Sequence, residues 1–213
     1  MLGFYFDNGR CTGCRTCEMA CADYNDLPAG RRYRRVIDYE GGQTVVARDG
    51  TVQTDAFCYH VSLACNHCAQ PECMHVCPTG AMHRNDLGLV VVDYDRCIGC
   101  GYCTIACPYH SPSIDLELHQ SSKCHGCTDR IAQGLRPICV EACPLRALDF
   151  GEVEQLQERH GADLGADIMP LPTASATIPN LLVKLSPAAK ACLDGREGSI
   201  ANPLEIENNQ SEG

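Results

Sequence analysis

The sequence predicts an α+β protein built from two pseudo-symmetric modules, with a β-rich insertion and an extended C-terminal arm. Three observations predict it. Sixteen of the eighteen cysteines fall in four tight groups of four. The first and third groups are copies of one pattern. The second and fourth are looser copies of another.

Residues 7–21 read Asp-x2-Arg-Cys-x-Gly-Cys-x2-Cys-x2-Ala-Cys, and residues 93–107 read the same pattern, displaced by 86. Each copy follows a short apolar run, Phe4–Phe6 or Leu89–Val92. These runs predict short strands that feed a cysteine loop. The other pair is Cys65-x2-Cys68-x4-Cys73-x3-Cys77-Pro78 and Cys124-x2-Cys127-x11-Cys139-x3-Cys143-Pro144. Pro71 and Pro137 each stand two residues before the third cysteine. Ala81-Met82 and Ala147-Leu148 follow the Cys-Pro steps. The duplication predicts two ferredoxin-like modules with two metal sites each. Residues 22–64 are the insertion. Gly41-Gly42 and Asp49-Gly50 signal turns there, and the alternation over Thr54–Leu63 predicts a strand. Residues 152–213 are the arm. Glu152–His160 predicts a short helix, after which Pro170, Pro172, Pro179, Pro187 and Pro203 predict an extended course.

With only four Phe and no Trp in 213 residues, the apolar core is thin for this length, so something besides hydrophobic burial must help hold the fold. The cysteines are the candidates. Met1–Arg10 has no basic segment followed by an apolar one, so no secretory signal is expected. Cysteines two residues apart in tight loops converge on a point more easily than they form bridges of good disulfide geometry. Metal is the expected use. A formal net charge of −10 argues against nucleic acid as a partner. No stretch approaches the roughly 20 apolar residues that span a bilayer, so the protein is expected to be peripheral at most.

Three thiolates at i, i+3 and i+6 surround one small cavity, and a cube needs a fourth ligand. In two-cluster ferredoxins the last cysteine of the Cys-x2-Cys-x2-Cys-x3-Cys-Pro run ligates the other cluster. The groups at Cys11 and Cys97 have this spacing, the first with Ala22 and the other with Pro108 after its last cysteine. Gly13 and Gly99 sit where the loop must curl and aim N–H groups at sulfur. A zinc ribbon could use the Cys124 group alone, but groups ending in Cys-Pro do not suit one. Four [4Fe–4S] clusters are the expected cofactors. Their potentials, which span about −700 to +450 mV across cluster types, cannot be read from spacing.

Four phrases carry a family resemblance: Arg10-Cys-Thr-Gly-Cys-Arg-Thr-Cys-Glu, Cys65-Asn-His-Cys, Cys97-Ile-Gly-Cys, and Pro137-Ile-Cys-Val-Glu-Ala-Cys-Pro-Leu-Arg-Ala-Leu-Asp-Phe-Gly. The protein resembles the iron–sulfur subunit of the DMSO reductase family of membrane-associated molybdenum enzymes, from about Gly3 to Gly151 and more weakly through Ala201-Asn-Pro. The resemblance implies a ligand pairing. Cys11, Cys14, Cys17 and Cys143 would hold cluster 1, and Cys124, Cys127, Cys139 and Cys21 cluster 2. Cys65, Cys68, Cys73 and Cys107 would hold cluster 3, and Cys97, Cys100, Cys103 and Cys77 cluster 4. Some relatives have an aromatic residue in place of Cys100 and a three-iron cluster; cysteine here implies four irons. The resemblance also implies two partners, a molybdopterin-containing catalytic subunit and an integral membrane subunit that oxidises quinol. This subunit itself would have no catalytic residue, no membrane span and a peripheral place at the membrane through those partners.

Other features are expected to be bland. Cys58 and Cys192 lie outside the groups and are expected to be idle or buried thiols. His67, His75 and His125 lie inside cysteine loops and are expected near a cluster or at the surface rather than as ligands. Arg31, Arg32, Arg34 and Arg35 fit a solvated strand face or a docking patch equally. Ile178-Pro-Asn-Leu-Leu-Val favours an arm that wraps a partner. No nucleophilic constellation or phosphate loop is present. Alternatives to the DMSO reductase reading are the same subunit in a formate, nitrate, thiosulfate or polysulfide oxidoreductase, and a free-standing polyferredoxin.

Overall fold

The computed structural model describes residues 1–162 and 164–207; residue 163 and residues 208–213, the end of the expected arm, lie outside the described residues. The N-terminus forms strand β1 (Leu2–Asp7), in which Phe4, Tyr5 and Phe6 are all buried. The first cysteine group then leads into helix α1 (Thr16–Tyr24), which carries Cys17 and Cys21 on its buried side.

Strands follow: β2 (Arg35–Gly41), β3 (Thr44–Val46), β4 (Val52–Thr54) and β5 (Phe57–Leu63). β2 and β5 pair antiparallel from Arg35 opposite Leu63 to Gly41 opposite Phe57. β3 and β4 form an exposed hairpin around the Asp49-Gly50 turn. The strand expected over Thr54–Leu63 is interrupted: Thr54 ends β4, and β5 starts at Phe57.

The second cysteine group includes helix α2 (Glu72–His75) and leads to the hairpin of β6 (Met82–Arg84) and β7 (Val90–Val92). The third runs into helix α3 (Tyr102–Ala106). A hairpin of β8 (Ser113–Asp115) and β9 (Gln120–Ser122) precedes the fourth group, whose helices are α4 (Thr128–Ala132) and α5 (Ile138–Glu141). Strand β10 (Leu148–Glu152) and helix α6 (Val153–His160), the short helix expected there, come next.

Equivalent parts of the repeat make equivalent contacts. β1 pairs antiparallel with β10, Phe6 opposite Leu148, and β7 pairs antiparallel with β6, Val92 opposite Met82. Asp7 N–H donates to the Ala147 carbonyl at 2.8 Å, and Asp93 N–H donates to the Ala81 carbonyl at 2.8 Å. Helix α1 packs on α5, and α2 on α3.

The expected extended arm is corrected by the structure. Residues 164–207 lie on the rest of the molecule and complete both of the three-stranded sheets among the described residues. β11 (Leu181–Lys184) pairs parallel with β1, giving the order β10-β1-β11. Helix α7 (Pro187–Leu193) starts at Ser186, whose hydroxyl accepts from the Ala189 N–H, with Pro187 in the first turn where no amide partner is needed. β12 (Ser199–Ile200) extends the second sheet to β12-β2-β5, and helix α8 (Leu204–Glu207) follows. The prolines do prevent long elements, but each short piece finds a partner within the same molecule. The apolar run expected to wrap another protein is used internally: Leu181, Leu182 and Val183 are all buried.

Just before β11, the backbone acts as a strap. Ala69 and Gln70 N–H donate to the Ile178 and Thr177 carbonyls at 2.7 and 2.9 Å, and Asn180 N–H donates to the Asn66 carbonyl at 3.1 Å. The Asn180 carbonyl in turn accepts from Phe4 N–H at 3.0 Å. The second cysteine group is thereby tied to β1. The main core joins side chains of both three-stranded sheets, among them Phe6, Ile37, Val61, Leu148 and Val183, and includes Cys17, Cys107, Cys139 and Cys143.

Candidate metal centres

Three cavities are walled by cysteines, each fed by more than one segment. One cavity is walled by Cys11, Cys14, Cys17 and Cys143. A second is walled by Cys21, Cys124, Cys127 and Cys139. A third is walled by Cys65, Cys68, Cys73 and Cys107. In each, three cysteines come from one group and the fourth from another. Cys97 and Cys100 lie on the loop that leads into α3, and Cys103, on α3 itself, packs in an apolar cluster with Cys77, Met82 and Val90. α1 supplies Cys17 to the first cavity and Cys21 to the second; the α5 region supplies Cys139 to the second and Cys143 to the first.

Backbone and hydroxyl groups point at the sulfurs. Ala147 N–H donates to Cys143 Sγ at 3.3 Å and Gly126 N–H to Cys124 Sγ at 3.4 Å. Met82 N–H donates to Cys77 Sγ at 3.4 Å and Ser121 N–H to Cys97 Sγ at 3.3 Å. Cys17 lies 3.4 Å from Ser62 Oγ, and Cys103 lies 3.2 Å from Ser121 Oγ. Burial pushes the Cys11 and Cys68 thiols up to about 11 and that of Cys124 to about 12. Exposed Cys14 goes the other way, because the Thr16 hydroxyl and N–H stabilise its thiolate. Bound metal would have to overcome the burial, since the ligand is the thiolate.

Two glycines are required by the loops. Gly13 has φ +68°, and a Cβ there would lie 2.6 Å from the His60 ring; Gly99 has φ +66°, and a Cβ there would lie 2.1 Å from the His119 carbonyl oxygen.

The arginine run is neither a solvated face nor a docking patch. Arg31 pairs with Asp115 at 2.6 Å and Arg32 with Glu18 at 2.9 Å. Arg35 is buried and donates to the Tyr109 carbonyl at 2.6 Å. Arg34 is fully buried, lies 4.8 Å over the Phe4 ring and lines the second cavity. Its Nη1 donates to Ser62, but its Nε and Nη2 have no hydrogen-bond partner among the described residues. Burial opposes its charge, but the thiolates of Cys139, Cys17, Cys124 and Cys21 outweigh this and hold its pKa above the ordinary guanidinium value. A buried guanidinium with idle donors at a thiolate-lined cavity fits an anionic group bound there.

Lys123 is another buried cation. Its Nζ donates to Cys65 Sγ at 3.5 Å, to the Cys124 carbonyl at 3.0 Å and to the Val90 carbonyl. His67 is fully buried; its Nδ1 accepts from Val90 N–H at 3.1 Å, and burial with nearby Lys123 keeps it neutral. His125 Nε2 lies 2.9 Å from Asn25 Oδ1, and His75 is exposed beside Glu72. Cys58 is exposed on β5, and Cys192 is buried in the core. The sequence singles out Arg34 only as part of the arginine run and does not single out Lys123. The available signal was faint: Lys123 is one of only three lysines and stands directly before a cysteine group.

Among known families, a 4Fe-4S dicluster domain matches residues 56–153 and a 4Fe-4S binding domain matches residues 8–25. Fold, cysteine-lined cavities and these matches define an iron–sulfur electron-transfer protein of ferredoxin-like build. The sequence is 48% identical over 204 residues to the B subunit of the anaerobic dimethyl sulfoxide reductase of Haemophilus influenzae, covering 96% of this protein and 98% of that one. The corresponding B subunit of Escherichia coli is similar to the same degree and extent. The thiosulfate reductase electron transfer subunit PhsB of Salmonella typhi is 40% identical over 152 residues, 70% of this protein and 74% of that one. The protein described here is a member of the family of iron–sulfur B subunits of anaerobic dimethyl sulfoxide reductases. Among the described residues, no helix is long and apolar enough to cross a membrane.

Proposed function

We propose that this subunit holds four [4Fe–4S] clusters on sixteen cysteines and relays single electrons between a quinol-oxidising membrane subunit and a molybdopterin-containing catalytic subunit. The complex would be a dimethyl sulfoxide reductase-like anaerobic terminal reductase. The subunit would lie at the membrane only through those partners. The observation that carries the reading is the build of the cavities. In the first three cavities, the four cysteines come from two different groups, as the cross-ligation of two-cluster ferredoxins requires. The ligand sets are Cys11, Cys14, Cys17 and Cys143; Cys21, Cys124, Cys127 and Cys139; Cys65, Cys68, Cys73 and Cys107; Cys77, Cys97, Cys100 and Cys103. The first two sets belong to one module (residues 1–21 and 108–151), and the last two to the other (residues 65–107). The matched β1–β10 and β7–β6 pairings support this two-fold division.

Iron–sulfur cubes supply one-electron redox chemistry when bound. The protein's own residues do the rest. Thiolates hold each site. Amides of Ala147, Gly126, Met82 and Ser121 donate to ligand sulfurs. Arg34 and Lys123 place positive charge against the buried sites. Thiosulfate reductase remains the second reading, because its electron transfer subunit is also similar to this protein over much of its length.

The test is anaerobic purification with iron and acid-labile sulfide counted per polypeptide, followed by low-temperature EPR of the reduced protein. About sixteen irons and interacting cubane signals are expected. Zinc, or iron enough for one or two clusters in intact protein, would overturn the reading.

A further inference from the structure

Two loops from different modules exchange donors across a single peptide. Lys123 directly precedes Cys124, yet its ammonium reaches out of its own loop to Cys65 Sγ at 3.5 Å. His67 lies two residues after Cys65 and reaches the opposite way, its Nε2 standing 4.0 Å from Cys124 Sγ. The direction of that contact is set by the other ring nitrogen. Nδ1 accepts from the Val90 N–H, so the proton of the neutral ring sits on Nε2 and points to the sulfur. The carbonyl of the same residue, Val90, accepts from Lys123 Nζ. Gly126 leaves room for the crossing: a Cβ there would lie 2.7 Å from Leu89 and 3.6 Å from His67 Nε2. The strap residue Asn180 holds the His67 carbonyl at 2.7 Å.

We propose that Lys123, His67 and the Val90 peptide form a bridge between the second and third metal sites, and that the one buried ammonium of Lys123 sets the reduction potential of both. This rests on the four-cluster reading above. Adding an electron to a cluster adds a negative charge, and a fixed cation nearby stabilises the reduced form. Away from water this effect is far larger than at a surface. Among the described residues Lys123 pairs with no carboxylate: its three partners are one ligand sulfur and two carbonyls. It is therefore a positioning and tuning group for two sites at once, at the point where an electron leaves one module for the other.

The test is an EPR-monitored redox titration of the full-length protein, purified anaerobically with its iron, as wild type and as Lys123→Met. The expected result is four clusters in both and two midpoint potentials lowered in the variant. Each should fall by tenfold or more in the reduction equilibrium, which is about 59 mV for one electron, while the other two hold still. Lys123→Gln keeps a donor for the Val90 carbonyl without the charge and should lower the same two potentials. Four clusters with one shifted potential or none would overturn the bridge and leave the four-cluster reading standing. Loss of iron from both variants would also overturn it, in favour of a lysine that is only structural. Fewer than four clusters in the wild type would overturn both.

Discussion

Replacing Gly99 by alanine should cost a metal site, and the structure supplies its own control. Gly99 and Gly88 both have positive φ, +66° and +74°. Left-handed backbone costs an L-residue about 1–2 kcal/mol, so both substitutions carry that penalty. They differ in what the new methyl meets. At Gly88 nothing lies within 4 Å, whereas at Gly99 the His119 carbonyl oxygen lies 2.1 Å away. Real Cβ atoms essentially never approach closer than 3.0 Å, and the obstacle here is backbone. The loop between β8 and β9 must retreat, and overpacking of this kind adds about 1–3 kcal/mol. The retreat has a chemical consequence, because Ser121 is only two residues beyond His119. Its N–H donates to Cys97 Sγ and its hydroxyl oxygen accepts from the Cys103 thiol. Gly99→Ala is therefore expected to lose about four irons per polypeptide, one cube, and about 2–5 kcal/mol of stability. Gly88→Ala is expected to keep all its iron and to lose about 1–2 kcal/mol. Iron quantification and anaerobic denaturant unfolding measure both. Equal iron content and equal stability in the two variants would refute the argument.

Leu182→Ala removes a side chain packed against Tyr5 and Leu156. If residues 164–207 are part of the fold, it should cost about 2–5 kcal/mol in denaturant unfolding; a detached arm would register nothing. Asp149 accepts from His160 at 2.8 Å, from Phe150 N–H at 2.7 Å and from Arg159 at 2.9 Å, and also pairs with Arg136. Burial raises its pKa, but these partners outweigh it and hold the carboxyl below the ordinary aspartate value. The sign follows: its contribution is fully present above the unfolded value of about 3.9 and is lost as pH falls through the lower folded value. Asp149→Asn should cost about 1.5–3 kcal/mol near pH 7, and the gap to wild type in thermal unfolding should shrink below about pH 4. A gap that widens on acidification would contradict this.

The cysteine groups, the strands beside them and the two loop glycines were legible because each rests on local chemistry. A ligand loop needs its cysteines at short spacing, and Gly13 and Gly99 take the positive φ at which that loop curls. The tail was not legible for a related reason. Five prolines signal that no long element can form, but they say nothing of partners far away in sequence. Whether Leu181–Lys184 becomes a strand depends on β1, some 175 residues earlier, presenting an open edge. The arginine run failed likewise. Arg31, Arg32, Arg34 and Arg35 look alike in sequence, yet their fates are set by Asp115, Glu18, Ser62 and Tyr109, all non-local. Lys123 and His67 are distant partners of the same kind, 56 positions apart and joined through Val90.

That non-local wiring bears on how the protein could hold its metal sites at fixed separations. Thiolates organise each site only once metal is bound. The spacing between sites needs contacts that do not depend on any one site. The structure supplies them at the boundary between the second and third cavities. Asn180 joins the Asn66-His67 segment to β1, while Val90 receives Lys123 and serves His67. Every one of these bonds is made by backbone or by a buried side chain, where an unpaired partner would be costly. A relay needs its members close and rigid, and a tail that the sequence predicts as an arm around a partner provides part of that rigidity. The apolar residues of 181–183 would otherwise be exposed for a partner to cover. Spent on the protein's own sheet, they make the second cysteine group's position a property of this subunit rather than of the complex it joins.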